Sequence, residues 1–148
     1  MLIFLIINLF SSFFLCGLIW TIQLVHYPSF HALDKVHFIE HMNLHKQRIS
    51  LLVVPMMLLE LATSIGLVLF ADLYSELNKA GLIIVILIWF STFFVQVPLH
   101  KKLSSGYDQV IITKLVRTNF IRTILWTLKA TIGGYVVIQL IKDSPLTF

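Results

Sequence analysis

Charge is scarce in this chain. Asp, Glu, Lys and Arg together make 12% of its 148 residues, roughly half the share of a soluble domain. No charged residue precedes Asp34. The basic stretch that opens a cleaved signal peptide is therefore missing, and the first apolar run reads as a retained helix. Cysteine is almost absent too. Cys16 stands alone, so no internal disulfide forms, and its apolar surroundings suit a small buried residue. Phe13-Phe14-Leu15 before it lacks the small residues of a lipoprotein cleavage site. There is no glycine-rich nucleotide loop, no serine or cysteine nucleophile pattern, no redox cysteine pair, no internal repeat and no flexible linker. Together these absences exclude the nucleotide-dependent and thiol-dependent enzyme classes.

What remains is apolar. The chain is 58% hydrophobic, with a mean hydropathy of +0.92. A spanning helix needs about 20 apolar residues, so four spans with short loops use the whole length. The expected fold is all-α: an integral membrane four-helix bundle, up-down-up-down, with a short amphipathic helix before the second span. One transmembrane domain covers 1–148, with spans near 2–26, 49–70, 80–99 and 119–141. Pro28 is expected to end the first span, and Pro55 to kink the second. Residues 35–47 form the amphipathic helix, running into the second span or lying just before it. Gly133-Gly134 permits close helix approach.

The formal charge of +4 reads as membrane topology and implies no nucleic-acid partner. Folded up and down, the bundle collects Lys35, Lys46, Arg48, Lys101, Lys102, Lys114, Arg117 and Arg122 at one end. Lys79 and Lys142 stand at the other. An excess of Lys and Arg marks the cytoplasmic side. This predicts a bacterial inner-membrane protein with both termini outside and the histidine-rich face cytoplasmic.

That basic end also receives all six histidines: His26, His31, His37, His41, His45 and His100. His37, His41 and His45 recur every four residues, one stripe on a helix. Gln23 with His26, Gln96 with His100, and Asn119 with Arg122 each share a helix face. Deeper in, Glu60 lies about 11 residues into its span and Lys129 about 9, so their depths are similar at 1.5 Å per residue. Buried charges in a membrane face the bundle interior and pair. The expectation is a Glu60–Lys129 ion pair, direct or through water, beneath an amide layer and a histidine mouth.

Each feature has a bland reading beside the functional one. Neutral imidazoles at i, i+4 suit a metal, and bundles build metal sites from facing side chains. This makes His26, His41, His45 and His100 candidate ligands for iron, copper or zinc. A non-covalent haem held by two of them is a weaker candidate. The bland alternative is a solvated, histidine-rich interfacial helix. His31 and His37 read as loop residues. Arg48 and Arg122 suit either headgroup anchors or contacts to an anionic oxygen. Asn119 is a candidate helix cap or a candidate site residue. Trp20, Trp89 and Trp126 pack or sit at the interface, and Trp126 with Gln23 would flank a flat ligand if turned inward.

Near the third and fourth spans the chain resembles a known family. Gln96-Val97-Pro98-Leu99-His100-Lys101-Lys102-Leu103 is similar to a V-P-L-N-x-x-L segment, and Asn119-Phe120-Ile121-Arg122-Thr123 to an N-x-x-R-T segment. Together they resemble the anthrone-oxygenase-like family of small four-helix membrane proteins. His100 stands where that family more often has Asn, and the run before the second span is richer in histidine. The resemblance implies oxygen-dependent oxidation of a reduced aromatic or quinol-like compound, and it carries over Pro98, His100, Asn119 and Arg122. The expected function is a membrane oxidoreductase acting on a lipophilic aromatic or quinone-like molecule. His26, His41, His45 and His100 would hold a metal or move protons. Arg48 and Arg122 would stabilise a phenolate-type oxygen, with Gln96, Asn119, Glu60 and Lys129 completing the site. The alternative is a small transporter or an accessory subunit of a larger membrane complex. Membrane lipid is a partner in either case, and exposed small-residue faces suggest a homo-oligomer.

Overall fold

A computed structural model describes residues 2–143. Among them four helical rods run Leu2–Ala32, Phe38–Phe70, Ser75–Leu103 and Gln109–Asp143, each long and apolar enough to cross a membrane. They alternate in direction. Span one packs on spans two and four, and span three packs on the same two. This is the expected all-α bundle, and its four long apolar helices fit an integral membrane protein.

The packing is inside-out relative to a soluble bundle. Only 28–33% of the residues in the most apolar window of each rod are buried. Phe10, Leu24, Val25, Leu69, Phe90 and Phe94 project outward, as a lipid solvent permits. The interior instead takes Asn8, Ser11, Ser12, Gln23, Glu60, Thr63, Ser64, Gln96, Asn119, Arg122 and Lys129. Three apolar clusters separate these groups. One lies at the histidine end around Phe30, Phe38, Met42 and Leu115. The middle one holds Leu15, Ile88 and Trp126, and the far one Leu5, Leu67 and Val136. Gly133 does what its size predicts: a Cβ there would lie 3.1 Å from Leu9 Cδ1, so spans one and four meet closely.

The rods overrun the expected boundaries, which marked apolar stretches and not helix ends. The helix of span four starts at Gln109, ahead of its apolar stretch, because the Asp108 carboxylate accepts from the backbone N–H groups of Val110 and Ile111 at 2.8 and 3.0 Å, a capping arrangement. The amphipathic segment is continuous with span two, which passes through Pro55 as one helix from Phe38. His37 precedes that helix, so only His41 and His45 of the stripe lie on it.

Pro28 does not end span one, contrary to expectation. Five residues before it, Ile22–His26, form a π-turn in which the Tyr27 N–H reaches back to the Ile22 carbonyl. Span three repeats the device. Thr92–Gln96 is a π-turn, the Val97 N–H bonds the Thr92 carbonyl, and Pro98 follows. A proline ring collides with the carbonyl four residues back and offers no N–H. The wider π-turn moves that carbonyl aside, so helix resumes beyond it. Both prolines are thus continued through, at the same end of the bundle.

Candidate functional site

At the histidine end, spans two and three part. Between them lies a cavity of about 600 Å³, walled by Ile49, Val53, Met57 and Phe93 and floored by residues of spans one and four. Its polar lining includes Tyr27, Lys46, Ser50, Trp89, Thr92, Gln96, His100, Lys101 and Arg122.

Arg122 is buried. Its Nε donates to Asn119 Oδ1 at 3.1 Å and Nη1 to Thr92 Oγ1 at 3.2 Å, while the guanidinium lies 5.4 Å from the Trp126 ring. Among the described residues no carboxylate pairs with it within 4.0 Å. An arginine keeps its charge and carries five N–H donors, so a cation with spare donors faces an apolar chamber. Behind it Asn119 Nδ2 donates to Gln23 Oε1 at 2.8 Å, and Gln23 Nε2 to the Val116 carbonyl at 3.1 Å. Gln23 and Asn119 therefore orient Arg122 from behind.

His100 and Tyr27 form a second unit. His100 Nδ1 lies 2.8 Å from the Gln96 carbonyl, an atom that only accepts. In the neutral imidazole Nδ1 therefore holds the hydrogen and Nε2 the lone pair. Tyr27 Oη, 3.2 Å from that Nε2, is then the donor, and its oxygen faces the Arg122 guanidinium as an acceptor. The π-turn before Pro98 places Gln96 and His100 one turn apart on the cavity side, and the one before Pro28 does the same for Tyr27.

Two cavity residues carry polar atoms that are buried without a hydrogen-bond partner among the described residues: Gln96 Oε1, an acceptor, and Trp89 Nε1, a donor. Gln96 Nε2 is already committed to Thr118 Oγ1 at 3.1 Å. An orphaned buried group costs about 1–3 kcal/mol.

The predicted metal set does not assemble. Among the described residues no three His, Cys, Asp or Glu side chains converge on a metal-sized point. The histidines engage each other instead: His26 Nε2 and His45 Nδ1 are 2.7 Å apart, one donating to the other, and the His45 and His100 rings stack at 5.7 Å. His41 stands 6.4 Å from His26, ring to ring. His31 and His37 are exposed, as expected. Arg48 is also exposed and lies on the opposite flank of span two from the cavity, so it does not join Arg122.

Glu60 and Lys129 face the same interior, but no direct ion pair joins them within 4.0 Å. The Glu60 carboxylate accepts from Ser12 Oγ at 2.7 Å and Trp126 Nε1 at 3.0 Å. Lys129 Nζ donates to Asn8 Oδ1 at 2.6 Å. The Asn8 amide nitrogen in turn donates to Thr63 Oγ1, Ser64 Oγ and the Glu60 carbonyl at 2.9, 2.9 and 3.2 Å. No direct pair forms because each charge has neutral partners nearer to hand, and the Asn8 amide bridges Lys129 to the Glu60 backbone. Asn8, Ser11 and Ser12, spaced on one face, were the sequence signal for this. Tyr27 and Thr92 had no signal short of the π-turns.

Comparison with protein-family models, curated proteins and solved structures finds no match.

Proposed function

We propose that this chain is a membrane oxidoreductase that takes a lipophilic aromatic or quinone-like molecule into the cavity between spans two and three. The observation that carries the reading is the pairing of an apolar chamber with an uncompensated Arg122 cation, beside a Tyr27–His100 proton carrier. Ligand sites are concave and mostly apolar, with a few convergent polar groups. A flat ring system would lie against Trp89, Phe93 and Met57, with its oxygen toward Arg122. Loss of a proton from a phenol or an activated ring methylene leaves an anion. Arg122 holds the anionic oxygen, and Tyr27 and His100 carry the proton away. Dioxygen is the oxidant that the family resemblance implies: a ring methylene becomes a carbonyl with one oxygen atom, and the other atom leaves as water.

The test supplies anthrone to the purified full-length chain and follows oxygen uptake and anthraquinone formation together. The expected result is one oxygen consumed per product, lost in Arg122→Gln and slowed in His100→Gln. Wild-type turnover no faster than that of Arg122→Gln would overturn the reading.

A transition metal on His26, His41 and His45 would require His26 and His45 to give up their mutual hydrogen bond. Stoichiometric iron, copper or zinc in the purified chain, lost in His45→Ala, would establish that finer reading. The cluster of Lys and Arg at the histidine end supports a cytoplasmic location for it, with both termini outside the bacterial inner membrane. A second reading, transport, is favoured by the polar thread that continues past Trp126 and Glu60 to Lys129. Ion flux through proteoliposomes that disappears in Lys129→Met would support it over the enzyme.

A further inference from the structure

Span two is flanked by a second opening. On the side away from the cavity, between spans one and two, a groove of about 380 Å³ runs from the basic end along Leu18, Ile49 and Leu52. Its polar lining consists of His26, His41, His45, Arg48 and the Thr21 hydroxyl, with no acidic residue among the lining groups. Two of these groups carry buried ring nitrogens without partners among the described residues, His41 Nε2 and His45 Nε2. The His45 side chain is only 7% exposed. Arg48 stands exposed at the rim.

We infer that this groove holds one anionic phospholipid, its phosphate on Arg48 and His41 and an acyl chain along Leu18, Ile49 and Leu52. The composition selects the occupant. A helix groove open sideways in a bilayer meets lipid first, and its walls are as apolar as an acyl chain. Arginine receives phosphate oxygens with two parallel N–H bonds, and an imidazole N–H beside it adds a third donor. A rim holding a cation and imidazoles and no carboxylate favours an anionic headgroup over a zwitterionic one, which would bring its own cation to Arg48. Ile22 and Ile49 line both this groove and the cavity. A seated acyl chain therefore backs the cavity wall.

The experiment uses the full-length chain in detergent and counts retained lipid by native mass spectrometry after adding phosphatidylglycerol, phosphatidylcholine or inorganic phosphate. The expected result is one phosphatidylglycerol per chain and no comparable retention of phosphatidylcholine. Arg48→Gln should weaken retention about tenfold, the loss of one charge-assisted contact. Lys102→Gln, an exposed cation of the same end, should leave it unchanged. His41→Gln, which keeps an N–H donor, should retain more lipid than His41→Leu. Equal retention of the two lipids, or equal weakening in Arg48→Gln and Lys102→Gln, would overturn the proposal. So would inorganic phosphate displacing the lipid at equal concentration, which would mark a plain anion site.

Discussion

The two halves of the bundle interior handle buried polarity in opposite ways. In the half around Asn8, Glu60 and Lys129, charged and amide groups meet partners from three helices, at 2.6–3.2 Å. In the half around His45, Gln96 and Trp89, buried polar atoms are left over, and cavities lie on both flanks of span two. Polarity in a membrane interior is costly either way. Where it is satisfied it holds helices together; where it is left open it waits for something to bind. The same residue types thus carry different meanings at the two ends.

Mutations can break or sharpen that contrast. The largest effect is expected at Asn8→Leu, which strands the Lys129 ammonium and takes the partner from Ser64 Oγ. Breaking a buried charge network costs about 3–5 kcal/mol. Thermal unfolding in detergent should show the loss, while the folded fraction keeps its ligand affinity. Arg122→Gln should invert the pattern: stability falls by about 1–2 kcal/mol, but turnover of an aromatic substrate drops about 10²–10³-fold, as for loss of an oxyanion donor. Gln96→Leu removes an orphaned acceptor together with one bond to Thr118, so unfolding should shift by about 1 kcal/mol or less, with ligand affinity down several-fold. Trp89→Phe is the mildest. It deletes an unpaired buried N–H and should leave stability within about 0.5 kcal/mol of wild type, and a ligand titration should show the lost donor. A Trp89→Phe protein as unstable as Asn8→Leu would erase the distinction between the halves.

Much of this was legible beforehand. Four apolar runs and the Lys and Arg distribution announced the bundle and its polarised ends. The i, i+3 spacing placed Asn119 and Arg122 on one face correctly, because a helix face is a local property. Apart from Pro28, which a π-turn carries through, the departures are interhelical. Nothing in the spacing of His26, His41 and His45 says that two imidazoles will bond each other before any third ligand arrives. Equal depth made Glu60 and Lys129 look like direct partners; they do face one interior, but depth does not fix lateral distance, and Asn8 and Trp126 stand nearer. Arg48 and Arg122 shared an end of the membrane yet fell on opposite flanks of span two for the same reason.

The paired π-turns have a further consequence. A π-turn accommodates one more residue than the α-turn it replaces, so everything beyond Ile22–His26 and beyond Thr92–Gln96 sits out of phase with the chain before it. One residue is about 100° of helical rotation. Reverting the turn to plain α-helix with all its residues kept would swing Tyr27 about 100° away from His100, whereas deleting Leu24 removes the extra residue and leaves Tyr27 aimed where it is. In span three Val95 lies in the corresponding turn, and the same holds there. The bundle therefore carries two places where one residue can be gained or lost without re-aiming the histidine end, a natural place for related chains to differ in length while keeping their fold.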